Sequence, residues 1–490
     1  MHQMTKEQQA IVDCELNPGE TLKIMAFAGT GKTTTLEAYT RKRPHVRFLY
    51  IAFNKSVQTE AARRFPNNVT ARTAHALAFR TKGFQHKDRL VPGFKANQVM
   101  ATLDLDRYED ARFTIDTLNA FLVSKDPKVE TRHIPGTARA FYKKNKISMP
   151  DLVTKANSLG RLMCDGSNPD IGMLHDGYLK LFQLSCPVLD YDCILLDEAQ
   201  DTNAVIAAIV FAQIRQTSPD RQPASLILVG DMHQQIYSFR GAKDSLKRFN
   251  ATSTLYLTQS FRFDNNVARA ANMILSVFKK EKRTLQGTPV PKKDAWNPDQ
   301  YTIIARTNAA LFDKAVRLME KHPIGFSGGV AGYSLPRLKD VYYLYSGEKE
   351  KIRDGYIKGF KSYDVLKSYA RTVEDFEIAT QCRLVEKYRS RLPSLVDRVK
   401  EKAKDLSSGQ DGVLLTTAHK SKGLEWPQVL VLDDFATVMK DGIPVPSAGA
   451  DPDEFNLIYV AVTRAMVHLR FDKKSDIPEF IRYYLTHNKK

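Results

Sequence analysis

Short runs made mainly of apolar residues recur along the chain, and three of the four lead into polar residues. They lie at 22–25, 47–53, 193–196 and 225–229. Apolar runs of this length are typical of strands that are buried on both faces of a parallel sheet. Because a helical pattern follows the first run and a second strand follows that helix, we predict an α/β fold.

Helical patterns occupy two other regions. Residues 5–12 begin a helix, with Thr5 suited to the N-cap and Gln8 to the partner position of a capping box. After a further short strand at 70–75, the pattern from about 76 to 176 becomes helical, basic and turn-rich. We interpret this region as a helical insertion that interrupts the α/β domain.

The composition is that of an ordinary globular protein, with 43% hydrophobic and 26% charged residues. A chain of 490 residues is too long for one hydrophobic core, and the usual domain size suggests about three or four compact units. The 73 Lys and Arg residues outnumber the 55 Asp and Glu residues, which gives a net charge of +18. This surplus favours polyanionic partners, nucleic acid first and an acidic membrane surface second.

The cysteines and the apolar runs bear on the compartment. The five cysteines are scattered and form no Cys-x-x-Cys pair, so we expect reduced thiols and neither disulfides nor a structural zinc site. The amino terminus is polar, which indicates no signal peptide. The longest apolar run, 204–212, is too short to span a bilayer. We therefore expect a cytoplasmic protein without a membrane partner.

Residues 26–33, Ala-Phe-Ala-Gly-Thr-Gly-Lys-Thr, fit the pattern of a phosphate-binding loop. Ala26 stands in the place that the first glycine usually holds. An apolar strand leads into the loop and a helical run at 34–39 leads out, which is the context that such a loop requires. The structural alternative is an ordinary glycine turn between a strand and a helix.

Each position of this loop has an expected role. Gly29 and Gly31 allow the backbone N–H groups to point at phosphate oxygens, and the helix that follows adds the positive end of its dipole. Lys32 is expected to reach the β- and γ-phosphates, and the Thr33 hydroxyl to bind Mg²⁺. The loop residues expected to bind nucleotide are Ala28, Gly29, Thr30, Gly31, Lys32, Thr33 and Thr34.

Two adjacent carboxylates, Asp197 and Glu198, follow the apolar run 193–196. The carboxyl ends of strands form the edge at which α/β sheets bind ligands. Neighbouring acids are costly there unless a cation or a proton-transfer role compensates for their charge. We therefore assign Asp197 to Mg²⁺ and Glu198 to the base for the attacking water. The structural alternative is an exposed acidic turn.

Three other side chains have both a structural and a functional interpretation. Gln8 is suited to capping, but its amide can also present a donor and an acceptor to adenine if the phosphate loop is near. Phe53 and Lys55 follow a predicted strand, where they are placed to contact a base and a phosphate. A core phenylalanine and a solvated lysine are the default interpretation of this pair.

Four further motifs occur in order along the chain. They are 230–242, which contains His-Gln-Gln-Ile-Tyr-Ser-Phe-Arg-Gly-Ala, 257–262 (Leu-Thr-Gln-Ser-Phe-Arg), 415–426 (Leu-Thr-Thr-Ala-His-Lys-Ser-Lys-Gly-Leu-Glu-Trp) and 459–465 (Tyr-Val-Ala-Val-Thr-Arg-Ala). With these motifs the chain resembles the UvrD/Rep-like superfamily 1A DNA helicases. The amino-acid sequences of the motifs are similar to those of the F-box DNA helicases. The resemblance runs from Gln8 to Arg464, nearly the whole chain.

The resemblance implies two RecA-like parallel-sheet P-loop NTPase domains, each interrupted by a mainly helical insertion, with ATP bound in the cleft between them. The expected boundaries are 1–75 and 177–250 for the first core, 76–176 for its insertion, 251–329 and 410–490 for the second core, and 330–409 for the second insertion. This second insertion is short beside that of the UvrD and Rep enzymes.

The resemblance also implies roles for residues near the nucleotide. Gln8 would recognise adenine, Phe261 would stack on the base and Glu425 would lie near the ribose. The residues expected to act on the γ-phosphate, the first as a sensor and the other two as arginine fingers, are Gln234, Arg262 and Arg464.

For DNA, the resemblance implies aromatic and polar contacts. The aromatic residues expected to stack on bases without regard to sequence are Phe53, Tyr237 and Phe239. The polar residues that the resemblance implies contact phosphate or sugar are Thr73, His75, Arg240 and His419, and Lys55 is added to them from its position after the strand. The two histidines are equally compatible with structural roles.

The implied activity is an ATP- and Mg²⁺-dependent motor that moves 3′ to 5′ on single-stranded DNA and unwinds duplexes at single-strand/duplex junctions. Two alternatives stay open. One is a translocase that strips bound proteins from single strands, and the other is a DNA-binding subunit whose ATP switch gates a separately encoded nuclease. The short stretches before Gln8 and after Arg464 lead us to expect no F-box, no ubiquitin-ligase partner and no fused nuclease.

Overall fold

The structure is a computed structural model that describes residues 3–215, 221–236, 246, 249–289, 295–372, 375–406, 411–445 and 451–487. The chain forms two compact units. The first comprises Met1–Ala26 and Gly31–Leu257, and the second comprises Phe27–Thr30 and Thr258–Lys490. Within the ranges given above, none of the helices combines the length and the apolar character that crossing a membrane requires.

The first unit is built on a six-stranded sheet in which neighbouring strands are parallel. The strands of this unit are β1 (Thr21–Ala26), β2 (Phe48–Ala52), β3 (Val69–Thr73), β4 (Leu90–Val91), β5 (Met173–Leu174), β6 (Cys193–Leu196), β7 (Ser225–Gly230) and β8 (Ser253–Leu257). The order in the sheet is β3-β2-β6-β7-β1-β8, while β4 and β5 pair with each other. The predicted buried strands are thereby confirmed.

The sheet order places three loops side by side. β6, β7 and β1 are adjacent, so the segments that follow them leave the same edge of the sheet. These segments carry the acidic pair after β6, Asp231 after β7 and the phosphate loop after β1. A parallel sheet binds its ligands at this edge.

Helices cover both faces of this sheet. On β2, Leu49 and Ile51 pack into the core that the helices of the insertion share, whereas Phe48 and Tyr50 pack into a second core on the opposite face. The α-helices described in this unit are Lys6–Asp13, Lys32–Arg41, Lys55–Arg64, Ala74–Ala78, Ala96–Thr102, Tyr108–Leu122, Gly136–Asn145, Leu152–Cys164, His175–Leu184 and Ala204–Gln213. The predicted cap of the first helix is confirmed, because Thr5 and Gln8 form a capping box.

The last strand of the first unit, β8, lies beyond the expected boundary at residue 250. β8 pairs in parallel with β1 through residues 253–257, and the Thr252 N–H donates to Thr21 O at 2.8 Å. The first unit therefore extends to Leu257, because this strand completes the sheet.

The second unit has its own six-stranded parallel sheet. Its strands are β9 (Gln300–Ala305), β10 (Ile324–Phe326), β11 (Ala403–Lys404), β12 (Gly412–Thr417), β13 (Trp426–Val431) and β16 (Ala465–Phe471), and a separate antiparallel pair is formed by β14 (Met439–Lys440) and β15 (Ile443–Pro444). The sheet order is β11-β10-β12-β9-β13-β16. Two parallel sheets with flanking helices confirm the predicted α/β fold with two RecA-like domains.

In the range of the expected second insertion, 330–409, most of the residues that the structure describes lie in helices. The α-helices described in the second unit are Asn265–Lys279, Asn308–Leu318, Leu335–Ser346, Gly355–Lys358, Tyr363–Thr372, Phe376–Tyr388, Leu392–Lys402, Pro452–Val462 and Ile477–His487. Val341 and Val396 from this segment pack into the same hydrophobic core as Ile303 of β9. The segment is therefore part of the body of the second unit.

Candidate active site

The phosphate loop requires glycine at two positions. Gly29 and Gly31 have φ angles of +73° and +75°, in the left-handed region that favours glycine. In the second unit, a Cβ atom on Gly29 would lie 2.5 Å from Ser260 Oγ and 2.7 Å from Arg262 Cβ. Gly31 directly precedes the helix Lys32–Arg41. The loop therefore presents the helix N-terminus on which phosphate binding depends.

Lys32 forms an ion pair with the predicted catalytic base. Its Nζ lies 2.5 Å from Glu198 Oε1 in the first unit. Burial lowers the pKa of Lys32, but the charges of Glu198 and Asp197 raise it more, so the net shift is upward. Lys32 is therefore a cation at neutral pH, as phosphate binding requires.

Asp197 is buried directly after β6, and each of its carboxylate oxygens accepts a hydrogen bond. Its Oδ2 accepts a hydrogen bond from the Tyr50 hydroxyl, and its Oδ1 accepts from the Glu198 N–H at 2.9 Å. Burial, followed by the charge of Glu198, raises the pKa of Asp197. A buried carboxylate at this position does not fit the alternative of an exposed acidic turn.

The Glu198 backbone is in the left-handed region, with φ 48° and ψ 43°. This conformation costs a residue other than glycine on the order of 1–3 kcal/mol, and such residues cluster at functional sites. The Glu198 carboxylate accepts hydrogen bonds from Lys32 Nζ and from Gln200 Nε2, both at 2.5 Å. The position of the predicted base is thus set by its neighbours.

The oxygen ligands at this site suit Mg²⁺, which takes part of its coordination shell from phosphate and water, better than a metal ion that is coordinated by protein side chains alone. No group of three or more His, Cys, Asp or Glu side chains with metal-binding spacing occurs among the described residues. Mg²⁺ in phosphate-transfer sites takes one or two carboxylates and completes its shell with phosphate oxygens and water. Asp197 supplies such a carboxylate, and Thr33 lies in the first turn of the helix after the loop.

Gln234, the predicted γ-phosphate sensor, is buried and belongs to a short helix, Met232–Gln234, after β7. Its Nε2 donates to Asp231 Oδ2 at 2.8 Å. The Asp231 N–H in turn donates to Gln200 Oε1 at 3.2 Å. The structure thus brings the sensor and the acidic pair together at adjacent strand ends.

The motif pattern does not point to Tyr50 or Gln200. Tyr50 lies inside a strand, where only its β-rich context is visible. Gln200 stands two positions after Glu198 in the Asp-Glu-Ala-Gln segment, and this short spacing is the one local signal of its role.

Gln8 has a structural role in the capping box. Its Oε1 accepts from the Thr5 N–H at 3.0 Å, and its Nε2 donates to Thr35 Oγ1 at 3.2 Å. Thr35 belongs to the helix that follows the phosphate loop. Gln8 therefore lies beside the loop, which is the proximity that adenine recognition requires.

The remaining loop residues have different surroundings. The Ala28 N–H donates to the Tyr459 hydroxyl at 3.1 Å, and the Thr30 hydroxyl donates to Phe27 O at 2.9 Å, both within the second unit. Thr34 is exposed, and its hydroxyl accepts from Arg64 Nη2 at 3.1 Å. Of the predicted loop ligands, Thr34 thus already has a side-chain partner on the surface.

The second unit brings together the residues that the resemblance assigns to the base and the ribose. Arg262 Nε donates to Glu425 Oε2 at 2.5 Å, and Arg262 Nη1 donates to Thr463 O at 3.1 Å. The adjacent Phe261 is 42% exposed, so its ring is accessible for stacking. Its backbone N–H donates to Gly29 O at 2.8 Å.

Arg464 is buried in the second unit, with 1% of its surface exposed. Its Nε donates to Val460 O at 3.0 Å and its Nη1 donates to Leu424 O at 3.1 Å. A role as an arginine finger requires Arg464 to exchange such carbonyl partners for phosphate oxygens.

The four predicted DNA contacts of the first unit lie at the ends of two neighbouring strands. Phe53 and Lys55 follow β2, and Thr73 and His75 follow or end β3, which pairs with β2. Phe53 is 44% exposed. The four residues therefore share one edge of the sheet.

The polar members of this group have protein partners. Lys55 Nζ donates to Gln58 Oε1 at 2.6 Å, and the Thr73 hydroxyl accepts from the Ala76 N–H at 3.1 Å as a helix cap. His75 Nε2 lies 3.1 Å from Asp176 Oδ1. Each has a structural role in addition to its predicted contact with DNA.

The remaining predicted DNA contacts lie in two regions. His419 is half-buried in the turn directly after β12. The other three predicted contacts lie outside the described residues, and they are Tyr237, Phe239 and Arg240.

Comparison with known families identifies two matching models. Residues 186–252 match the UvrD/REP helicase N-terminal domain, and residues 338–474 match the UvrD-like helicase C-terminal domain. The first match contains the acidic pair and Gln234, and the second contains Glu425 and Arg464.

Similar proteins extend the match over most of the chain. The chain is 36% identical to F-box DNA helicase 1 of Gallus gallus over 94% of its own length and 48% of that protein. It is 32% identical to F-box DNA helicase protein 1 of Schizosaccharomyces pombe over 95% of its length and 57% of that protein. A probable DNA helicase II homolog of Mycoplasma pneumoniae is 27% identical over 57% of the chain and 43% of that protein. The chain thus spans about half the length of these curated relatives.

Proposed function

Because the chain matches the models of both UvrD-like helicase domains and is similar to F-box DNA helicases over most of its length, we propose that it is an ATP-dependent DNA motor that moves along single-stranded DNA and unwinds duplexes. One observation carries this proposal. The loop lysine Lys32 and the acidic residue Glu198 form an ion pair of 2.5 Å, next to a buried Asp197. This is the combination of cation, metal ligand and base that phosphoryl transfer to water needs.

The proposed hydrolysis uses ATP and Mg²⁺. Lys32 would bind the β- and γ-phosphates, and Thr33 and Asp197 would hold Mg²⁺, which when bound would supply positive charge to the transferred phosphoryl group. Glu198 accepts a proton from the attacking water. The residues proposed to act on the γ-phosphate, the first by sensing it and the others by neutralising its charge, are Gln234, Arg262 and Arg464.

The base and the ribose of the nucleotide are proposed to contact three residues whose surroundings are described above. Phe261 stacks on the base, Gln8 recognises the adenine edge and Glu425 lies near the ribose. The exposed ring of Phe261 and the position of Gln8 beside Thr35 support these assignments.

The proposed track is single-stranded DNA, with the single-strand/duplex junction as the place of unwinding. The edge formed by Phe53, Lys55, Thr73 and His75 offers one exposed ring for stacking and polar groups for the backbone. The net charge of +18 supports a polyanionic partner. The proposed direction, 3′ to 5′, rests on the family resemblance alone.

ATP turnover in the presence and absence of single-stranded DNA tests this function. We expect DNA to stimulate turnover, and Lys32→Ala to reduce it by about 100-fold or more because the phosphates lose their cation. Lys42→Ala is the matched control, since Lys42 ends the same helix and pairs with Asp13 on the surface at 2.7 Å. Turnover that survives Lys32→Ala would exclude the assigned site, and negligible turnover with or without DNA would favour a binding module.

A further inference from the structure

Four buried or partly buried residues form one chain of hydrogen bonds in the first unit, through their side chains and the backbone N–H of Asp231. Glu198 Oε2 accepts from Gln200 Nε2 at 2.5 Å, and Gln200 Oε1 accepts from the Asp231 N–H at 3.2 Å. Asp231 Oδ2 then accepts from Gln234 Nε2 at 2.8 Å. Gln200 is the link that joins the end of β6 to the end of β7.

Gln200 has little freedom to move. It is fully buried, with 0% of its surface exposed, and its Nε2 also lies 3.3 Å from Asp201 Oδ2. A Cβ atom on Gly230 would lie 2.0 Å from Gln200 Oε1. The absence of a side chain at Gly230 is therefore what makes room for the Gln200 amide.

We propose that Gln200 is a positioning residue for ATP hydrolysis. Its side chain orients the Glu198 carboxylate towards the attacking water and connects Glu198, through Asp231, to the Gln234 sensor. This role rests on the proposed function, because it requires that Glu198 and Gln234 act on ATP. Gln200 itself does not touch the reacting atoms.

The chemistry of the link calls for a glutamine. Glu198 needs a hydrogen-bond donor and the Asp231 N–H needs an acceptor, and a side-chain amide supplies both from one group. Glutamate at this position would lose the donor and add a third negative charge beside Glu198 and Asp201. Leucine has a similar shape but supplies neither hydrogen bond.

The link also places the sensor and the base in one network. Gln200 accepts from the Asp231 backbone N–H, and the Asp231 carboxylate accepts from Gln234, so Asp231 connects the base to the sensor. Groups joined in one hydrogen-bond network act non-additively when they are changed together. The positions of Glu198 and Gln234 are therefore coupled through Gln200 and Asp231.

Gln200→Leu tests this role. We expect kcat for ATP to fall by about 10- to 100-fold, because a base displaced by about 1 Å loses its alignment with the water. The affinity for a non-hydrolysable ATP analogue should stay within about twofold of the wild type, since Lys32 and the loop backbone are unchanged.

Gln213→Leu is the matched control for a buried glutamine. Gln213 is 2% exposed, donates to Pro187 O at 2.8 Å and to Ile209 O at 3.0 Å, and accepts from the Leu189 N–H at 2.8 Å. It lies at the end of the helix Ala204–Gln213. Both substitutions should lower the thermal unfolding temperature, but only Gln200→Leu should lower kcat. An equal fall of kcat in both variants, or a normal kcat in folded Gln200→Leu, would overturn the proposed role.

Gly230→Ala provides a second route if Gln200→Leu does not fold. It displaces the Gln200 amide without removing it, and we expect the same fall of kcat with retained binding of the analogue. In a double-mutant cycle with Gln234→Ala, the combined loss should be smaller than the product of the single losses. Independent, multiplying losses would contradict the link. A wild-type chain without ATP turnover would overturn the proposed function itself, whereas normal turnover in the folded Gly230→Ala and Gln200→Leu variants would overturn only the role of Gln200.

Discussion

Replacing Tyr50 with phenylalanine removes the hydroxyl group that donates a hydrogen bond to Asp197, the predicted metal ligand. Tyr50 is fully buried in β2, and its hydroxyl donates to Asp197 Oδ2. The phenylalanine ring would keep the packing against Phe65, whose ring centroid lies 5.0 Å away. The substitution therefore removes a hydrogen bond and creates almost no cavity.

The expected cost follows from the charge and burial of Asp197. Among the described residues, Tyr50 is the one donor to Asp197 Oδ2, and Asp197 is only 7% exposed. A hydrogen bond to a charged group contributes about 1.5–3 kcal/mol. Because 1 kcal/mol shifts Tm by about 2–4 °C in a unit of about 250 residues, we expect Tyr50→Phe to lower Tm by about 3–12 °C.

Calorimetry at neutral pH measures this difference. Tyr39→Phe is the matched control, because Tyr39 is 2% exposed on the neighbouring helix and its hydroxyl has no hydrogen bond to a described residue. We expect Tyr39→Phe to change Tm by less than about 2 °C. If the two variants unfold at the same temperature, the Tyr50 hydroxyl does not stabilise the Asp197 carboxylate, and Asp197 is not held in place as a metal ligand would be.

Two further predictions concern DNA and the insertion. Phe53→Ala should weaken binding of an oligo-dT strand by about 5- to 150-fold, which corresponds to the loss of about 1–3 kcal/mol of stacking on one base. Tyr345→Ala, which removes a ring of similar exposure (42% against 44%), should not weaken binding in fluorescence anisotropy, and equal losses would exclude a specific role of Phe53. Lys180→Met should lower the unfolding temperature of the first unit, because Lys180 Nζ donates to Ser124 O at 2.8 Å and to Asp126 O at 2.5 Å. Burial lowers the pKa of Lys180 from 10.5 to about 8. The unfolded chain therefore binds more protons between these values, and the stability of the wild type should rise from pH 8 to pH 10. The same rise in Lys180→Met would contradict this source of the pH dependence.

The strands and the phosphate loop are predictable because their signals are local. The apolar run 193–196 coincides with β6, and the loop 26–33 is recognised from its own spacing and flanks. The capping box of Thr5 and Gln8 spans only three positions. In each case the residues that decide the structure are close together in the chain.

Contacts that depend on sheet order are not visible in the sequence. Tyr50 meets Asp197 because β2 is the neighbour of β6, and Gln200 meets Asp231 because β6 is the neighbour of β7. Pairing β8 with β1 likewise moves the end of the first unit to Leu257. These contacts join residues that are 31 to 231 positions apart, so spacing alone does not reveal them.

Strand separation on tailed duplexes tests the central claim most directly. The purified chain is incubated with ATP and Mg²⁺ and with duplexes that carry either a 3′ or a 5′ single-stranded tail. We expect ATP-dependent separation from the 3′ tail, none from the 5′ tail, and none with Lys32→Ala on either substrate. ATP turnover without separation of either duplex would contradict the helicase proposal and would favour a translocase that strips bound proteins.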